Sequence, residues 1–408
     1  MCTKILLLSG LFTHFGSGYA IASNIEAYVE TLRRHPEVQH FFAQKNRFDE
    51  MSEAELALPD PQIYVGIDNM FFDDPGYNRL ISPTKSIGFI QNVPSILFRQ
   101  AKSSKKKILS RHQELSGRYM LKRLEARLVR HVANYKKIKI LEGLAEQQLV
   151  YYELMEFELK GQLESGRPVY GLFFEVDVDK MEIEQRLNKL EYEMISTEEE
   201  LKWLVGEVPQ IESLKNSNLF WDPKGSSLFP IKIAEEVLKS THSDLKIAEA
   251  SSSPNFSIQA TYKRREFEQK SRDYDWFNIQ ASVSVPIWYK KNQEPRLRAA
   301  RFDKQSATLI YERTCQDWLK QMSILQAAYQ NVTKDIQLLK EKKASRKEVT
   351  ETANRNYEAG LISLTSVLIA QIDELSIESQ IQTKRSTQIS LSAEFNSHLI
   401  GESIDDIN

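Results

Sequence analysis

Residues 276–286 read WFNIQASVSVP, and this stretch decides the fold. From Asn278 to Val285 polar and apolar residues alternate without interruption, and the apolar set is Ile279, Ala281, Val283 and Val285. A period of two predicts a β-strand with one apolar and one polar face, and Pro286 ends it. Residues 255–263, NFSIQATYK, alternate in the same way, with the apolar set Phe256, Ile258, Ala260 and Tyr262.

Two interpretations of these strands are open. A half-buried antiparallel sheet of a soluble domain has the same period of two. Alternating segments of about ten residues also fit the tilted strands that cross a membrane. The segments after Pro94 and Pro286 lead into helices longer than a small sheet could pack against. This context favours membrane-crossing strands.

The pattern occurs twice along the chain. In the first half the alternating segments are QIYVGIDNMF from residue 62 and KSIGFIQNVP from residue 85. In each half the second segment ends at a proline, a long proline-free stretch follows, and a Gly-Leu pair comes after that stretch, at residues 171–172 and 360–361. The sequence therefore predicts a duplicated strand-strand-helix-helix unit.

The stretches between the strands and the Gly-Leu pairs predict very long helices. Residues 296–359 contain neither Gly nor Pro, and their apolar residues are spaced alternately by four and three: Trp318, Met322, Leu325, Tyr329, Val332, Ile336 and Leu339. The first half has similar spacing at Leu121, Leu124, Leu128, Val132, Tyr135, Ile138 and Leu141. Such heptads indicate coiled-coil helices, each about 100 Å long. A coiled-coil scaffold explains the heptads but leaves the paired strands without a purpose.

Four strands per chain are too few to form a closed sheet. Every backbone N–H and C=O in lipid needs a partner, so an open sheet edge is excluded there. Closed barrels begin at about eight strands, and a water-filled lumen needs more, so three chains with about twelve strands form the smallest plausible pore. The predicted fold class is therefore an α+β membrane protein, a trimeric twelve-stranded β-barrel continued by a helical coiled-coil tunnel.

The ends and composition of the chain bear on its location and class. Lys4, an apolar run and Ala20-Ile21-Ala22 are typical of a secretory signal peptide over residues 1–22. The net charge of −2 argues against a nucleic-acid partner. The sequence has no Gly-rich phosphate loop, serine elbow or CxxC, so we predict no enzyme activity, no cofactor and no metal site. His35 and His40 are spaced by five residues, which does not suit a helical metal pair.

The predicted organisation has five parts. A first repeat over 23–206 follows the signal peptide, a linker covers 207–230, a second repeat covers 231–400, and a tail covers 401–408. The predicted barrel strands are residues 62–72, 85–94, 255–264 and 276–287. The predicted long helices are residues 95–165, 174–205, 295–357 and 363–400, and a shorter helix opens each repeat.

Several motifs in this order carry a family resemblance. They are His35-Pro36-Glu37, Pro59, Ile87–Pro94, Ser253–Phe256, Val283–Ile287 and Asn356–Leu361. Together they resemble TolC-like outer-membrane factors, the exit ducts of tripartite efflux pumps and type I secretion systems. The pattern is most similar to the CusC/CzcC branch, which accompanies heavy-metal pumps.

The resemblance implies a function and partners. It implies a homotrimer in the bacterial outer membrane that extends into the periplasm and passively conducts substrate outward. Its implied partners are a periplasmic adaptor, an inner-membrane pump of the RND or ABC type, and outer-membrane lipid. Gly171, Leu172, Gly360 and Leu361 would form adaptor-docking tips, and Asp177 and Ser366 would occupy gate positions. The lipid-facing residues would be Ile279, Ala281, Val283, Val285, Phe256, Ile258 and Tyr262.

One departure from the family pattern leads to a further expectation. His35-Pro36-Glu37 stands well ahead of the first strand, whereas His242 is followed almost at once by the Ser251–Pro254 segment. Aligning the two histidines predicts that the first helix of the second repeat is shortened by about four turns. A shortened helix also keeps open an alternative function, a secreted or periplasmic coiled-coil interaction protein without a pore.

Overall fold

The computed structural model describes residues 26–69, 83–211, 214, 219, 227–265 and 274–400. The predicted signal peptide, the tail, the end of the first strand and most of the linker lie outside these residues. The described elements are α1 (Glu26–Arg33), α2 (Pro36–Ala54), β1 (Gln62–Asp68), β2 (Thr84–Val93), α3 (Ile96–Glu164), α4 (Tyr170–Val205), α5 (Phe229–Ala250), β3 (Asn255–Arg265), β4 (Tyr274–Ser284), a 3-10 turn (Tyr289–Lys291), α6 (Gln293–Glu358) and α7 (Leu364–His398).

The element order repeats. A helix, two strands and two long helices run from α2 to α4, and the same order runs from α5 to α7. The four long helices begin and end within about one turn of the predicted residues. The division into repeat units at residues 206 and 231 stays a prediction.

The expected shortening of the second repeat is wrong. Helix α5 has 22 residues and α2 has 19, so the two opening helices are comparable. Proline stands in the first turn of both helices, at Pro36 and Pro230, where its fixed φ suits a helix start. Pro230, rather than the segment at His242, therefore corresponds to Pro36. His242 lies inside α5, where a histidine marks no boundary.

The four strands form one antiparallel sheet in the order β1-β2-β3-β4. The central pair, β2 with β3, joins the two halves of the chain, and Phe89 lies opposite Ala260. In the outer pair β3 with β4, Phe256 lies opposite Val283. Because opposed residues point to the same side of a sheet, this register collects the apolar residues of all four strands on one face.

The long helices pack side by side. Helix α3 contacts α2, α4, α5 and α7, and α6 contacts α5 and α7. The predicted heptads face these contacts: Met322, Leu325, Tyr329, Val332 and Ile336 are buried on α6, as are Leu124, Leu128, Val132, Ile138 and Leu141 on α3. These buried heptad residues form a narrow apolar seam along each helix. Packing along this seam stabilises the helices.

Candidate channel surfaces

One face of the sheet is apolar and exposed over all four strands. Val65 in β1 is 77% exposed and Ile279 in β4 is 72% exposed. The other exposed members are Ile63, Ile67, Ile87, Phe89, Phe256, Ile258, Tyr262, Phe277 and Val283. A continuous apolar face of this size is unusual for a soluble monomer and marks a contact with lipid or protein.

The seven residues predicted to face lipid all belong to this side and are exposed. Val285 follows directly after β4, and the other six lie within β3 and β4. Their contact with lipid stays a prediction. Ala260, on the same face, is buried.

The opposite face is polar and internally hydrogen-bonded. The Tyr64 hydroxyl is bonded to the hydroxyl of Thr261, and Gln259 Nε2 donates to the Tyr64 hydroxyl at 2.7 Å. Lys263 Nζ lies 2.7 Å from Asp68 Oδ2 in an ion pair. These contacts link β1 to β3 across the intervening strand β2. They fix the relative positions of strands from the two halves of the chain.

Gly88 in β2 leaves room for the Tyr64 side chain of β1 to reach across β2 to β3. Tyr64 pairs with Gly88, and its ring lies over the glycine on the way to β3. A Cβ at Gly88 would come within 2.6 Å of the Ala260 carbonyl oxygen and 2.7 Å of the Tyr64 ring. No larger residue fits here without a shift of backbone.

Gly88→Ala is therefore expected to destabilise the folded protein by about 1–3 kcal/mol, the usual cost of overpacking. The measurement is the midpoint temperature of unfolding of the purified protein. Gly66→Ala is the matched control, because its nearest neighbour is the rotatable Ser86 hydroxyl at 3.3 Å. Equal midpoint temperatures for the two variants would contradict the conclusion that Gly88 is needed to make room for the Tyr64 side chain.

The turn between α6 and α7 forms one helical tip. Gly360 has φ +74°, a conformation that glycine adopts without steric cost. Leu361 follows it and is 73% exposed, although its backbone N–H is bonded to the Asn356 carbonyl at 2.8 Å. The Ser363 hydroxyl then accepts from the Ser366 N–H and caps α7. The backbone of this turn is fixed while the leucine side chain faces outward.

The turn between α3 and α4 differs from the prediction. Its left-handed residue is Gly166, with φ +85°, and Gly171 lies within the first turn of α4. Pro168 interrupts the chain before α4, so the reversal is complete before the Gly-Leu pair is reached. Leu172 is only 36% exposed. Gly166, and not Gly171, is thus the structural counterpart of Gly360.

The two predicted gate positions have different surroundings. Asp177 is half-buried on α4, next to Val176, which packs against Leu159 and Leu368. Ser366 is exposed, and its hydroxyl lies 3.1 Å from the Ser363 hydroxyl in the cap of α7. Among the described residues, no hydrogen bond or ion pair joins the two positions. Because the first tip glycine is Gly166, the assumed equivalence of Asp177 with Ser366 loses its basis.

Polar contacts between the two helical hairpins were missed by the sequence analysis. Gln148, fully buried on α3, donates to the Ile372 carbonyl on α7 at 3.2 Å. Arg186 on α4 lies 3.3 Å from the Gln148 Oε1 atom and 3.2 Å from the Ser379 hydroxyl. This three-helix contact holds the first hairpin against the second. Its residues could not be found from the sequence, because helical spacing does not say which helices meet.

Closer to the tips, one more contact joins the hairpins, and another lies within the first hairpin between α3 and α4. Thr365 on α7 donates to Glu158 Oε2 on α3 at 2.9 Å. Burial, together with the carboxylate of Asp179, raises the pKa of Tyr152 to about 12. Tyr152 therefore stays protonated at neutral pH and can donate to Asp179. The described segments contain no group of three or more His, Cys, Asp or Glu residues suited to a metal ion.

Parts of this chain are similar to known proteins. Residues 231–393, from α5 into α7, match the family model for outer membrane efflux proteins. The match covers most of the second half of the chain. No curated protein matches the chain. The resemblance seen in the sequence motifs is confirmed at the level of the family.

Solved channel structures are similar to most of this chain in fold. CusC has a TM-score of 0.74 at 14% identity and covers 92% of both chains. CmeC of Campylobacter jejuni has a TM-score of 0.75 at 12% identity, covering 93% of this chain and 87% of its own. VceC of Vibrio cholerae has a TM-score of 0.72 at 14% identity, covering 91% and 95%. At these identities the likeness extends to the fold, and the placement in the CusC/CzcC branch stays a prediction.

Within the described segments of the chain, no helix combines the length and the apolar character needed to cross a bilayer.

Proposed function

We propose that the chain is one subunit of a trimeric outer-membrane channel that passively conducts substrate out of the periplasm. The observation that carries the proposal is the continuous exposed apolar face of the four-stranded sheet. Its polar face is internally bonded, as expected for the wall of a water-filled lumen. The match of residues 231–393 to the family model for outer membrane efflux proteins supports the same conclusion.

The free edges of the sheet support assembly from several copies. Strands β1 and β4 stand at the two ends of the sheet, and among the described residues each pairs on one side only. In lipid these edges need partners. Pairing β1 of one copy with β4 of the next is a head-to-tail contact, which closes into a ring by rotation. Three copies supply about twelve strands, enough for a pore.

The long helices also have faces that only other copies would cover. Exposed apolar residues follow one side of α4: Phe174, Val178, Met181, Tyr192 and Ile195. A second set lies on α6: Phe302, Leu309, Ile310, Ile324 and Leu338. Contacts between α4 of one copy and α6 of the next would continue the ring below the sheet as a helical tunnel. A periplasmic adaptor would dock at its tips, and an inner-membrane pump would supply the energy.

Migration of the outer-membrane fraction on a semi-denaturing gel tests the proposal. A detergent-extracted trimer is expected to migrate as a compact species that shifts to the monomer position only after boiling. A soluble monomer or dimer in the periplasmic fraction would instead support a coiled-coil interaction protein without a pore.

Asp177 is a proposed gate residue of this channel. Three copies of a half-buried carboxylate around a narrow throat attract cations and repel anions. Asp177→Asn is expected to lower the cation-over-anion permeability ratio by about twofold or more. Single-channel currents in planar bilayers measure this ratio.

Glu175→Gln is the matched control for the gate. Glu175 is exposed on the same helix, about 200° away around the axis. The control is expected to leave the ratio unchanged. Unchanged selectivity in Asp177→Asn would place Asp177 outside the pore and leave the channel itself intact.

A further inference from the structure

The connection between β4 and α6 carries exposed apolar and basic side chains. Residues 285–291, called here the β4–α6 turn, read VPIWYKK. Ile287 is 79% exposed and Trp288 is 71% exposed, and Tyr289, Lys290 and Lys291 are exposed as well. The turn directly continues the exposed apolar face of the sheet. Large apolar side chains in such a place mark a contact with lipid or protein.

Backbone hydrogen bonds hold this turn in one shape. The Tyr289 N–H donates to the Pro286 carbonyl at 3.2 Å, and the Lys291 N–H donates to the Trp288 carbonyl at 2.9 Å. Residues 289–291 form a single 3-10 turn. The aromatic side chains are therefore held next to the lysines along the chain, and the described residues leave both kinds of side chain uncovered.

The basic groups near the β4–α6 turn have no acidic partner in the part of the chain that the structure describes. Lys290, Lys291 and Arg296 are exposed and form no ion pair there. Glu294, the nearest acid in the sequence, is paired with Arg298 at 3.5 Å. Three exposed positive charges thus stand close in sequence to the exposed aromatic rings.

The corresponding connection in the first half of the chain, from β2 into α3, differs in this respect. There Arg99 donates to the Leu56 carbonyl, and Lys102 pairs with Glu55 at 3.4 Å. Both partners follow directly after α2, which packs against α3. The bases of the first connection are thus engaged within the chain, whereas those of the β4–α6 turn are free to bind something else.

We propose that the β4–α6 turn binds the headgroups of anionic phospholipids in the leaflet nearest the long helices. Trp288 and Tyr289 would lie at the boundary between hydrocarbon and headgroups, and Lys290 and Lys291 would contact lipid phosphates. The proposal rests on the proposed function, because it requires the apolar face of the sheet to cross a bilayer. It adds the class of lipid and the residues that select it.

The height of the turn fits this position. Val285 lies six residues from Ile279 in the middle of β4, about 20 Å along the strand and about 15 Å along the membrane normal at the usual tilt. An apolar band about 25 Å tall ends about 12 Å from its middle. Headgroups extend to about 20 Å from the midplane. The residues after Val285 therefore reach the headgroup layer.

The chemistry of the turn fits the same layer. Tryptophan and tyrosine are enriched at this boundary because their rings are largely apolar while the indole N–H and the phenol O–H can reach polar groups. A lysine has a long flexible stem that lies along apolar surface while its ammonium group reaches a phosphate. Clustered bases next to a membrane favour anionic lipids over zwitterionic ones. Apolar rings beside unpaired bases thus favour a charged lipid surface.

Fluorescence quenching of the full-length trimer in vesicles tests the inference. The vesicles contain phosphatidylcholine with a minor share of phosphatidylglycerol, and an equal amount of one lipid or the other carries bromine atoms, which quench nearby tryptophans. The Trp288 signal is the difference between the unmodified chain and Trp288→Phe. Phosphatidylglycerol is expected to associate near Trp288 about fivefold more strongly than phosphatidylcholine, the effect of about one basic residue near an anionic surface.

The double change Lys290→Glu and Lys291→Glu should remove this preference, so that the two brominated lipids quench Trp288 equally. The matched control is Lys320→Glu with Lys334→Glu. Both lysines are exposed on α6, about 40 Å or more farther along the helix than the turn, and the control changes the net charge by the same amount. It is expected to keep the preference.

Three other outcomes would overturn the proposal. Equal quenching by the two lipids in the unmodified, inserted trimer would overturn it and leave the proposed function standing. A preference that persists in the Lys290 and Lys291 variant, together with a lower temperature of trimer dissociation, would show that the lysines bind the next copy instead of lipid. Absence of quenching by either lipid would overturn the proposed function as well.

Discussion

Ile279→Arg is expected to prevent the protein from accumulating as a folded trimer in the outer membrane. Ile279 lies in the middle of β4 and is 72% exposed on the apolar face. An arginine that faces lipid at the bilayer midplane costs about 2–4 kcal/mol, and a trimer contains three of them. The measurement is the amount of heat-modifiable trimer in the outer-membrane fraction.

Gln280→Arg provides the matched control. Gln280 is the next residue along β4, lies opposite Gln259 on the polar face, and is also exposed in the single chain. Because this face would line a wet lumen, the same charge should leave trimer yield nearly unchanged. Val283→Arg, near the end of β4, should give an intermediate loss because the cost falls toward the interface. Equal yields for Ile279→Arg and Gln280→Arg would contradict the assignment of faces.

Much of the fold follows from periodicity. The strict alternation from Asn278 to Val285 and the heptads around Met322 depend only on local side-chain direction, which the sequence records. The predicted bounds of the paired strands and of the four long helices accordingly lie near the observed ones. The exposed apolar face also follows, because the strand register preserves the alternation across the sheet.

What escaped prediction depends on distant contacts or on backbone conformation. The length of α5 was mispredicted because His242 was taken as the counterpart of His35. Gly166 and Gly171 look alike in the sequence, and only the backbone shows that Gly166 has a positive φ. The contact between Gln148 and Ile372 joins residues 224 positions apart, and no local pattern encodes it.

The contacts between the hairpins would resist their separation in the proposed channel. Gln148 is buried with its amide bonded to α7, and Arg186 adds a charged group to the same contact. Separating the hairpins would leave these polar groups without partners unless water enters, which costs free energy for each buried group. Opening would therefore need an external contact to offset that cost. The exposed tips are the surfaces where such a contact could act.

Leu361→Asp is expected to abolish transport while leaving the trimer intact. Leu361 is 73% exposed beside the positive-φ residue Gly360, and the turn is fixed by backbone bonds that do not involve its side chain. An exposed apolar side chain on a fixed turn suits a contact with a partner protein. Burying an aspartate there should weaken adaptor docking about 30-fold, the effect of losing an interface hot spot. The measurements are export of a pump substrate by cells and adaptor binding by the purified trimer.

Ser363→Asp tests whether a negative charge at the tip alone explains the loss. Ser363 is exposed two residues farther along the same turn, and its hydroxyl accepts from the Ser366 N–H at 3.3 Å. Aspartate caps a helix about as well as serine does, and the serine presents no large apolar surface. This variant should therefore keep the turn, most of the export and most of the adaptor affinity. Trimer yield is measured for both variants. Loss of the folded trimer in Leu361→Asp would show that the leucine stabilises the turn, and the proposed docking role would then be withdrawn.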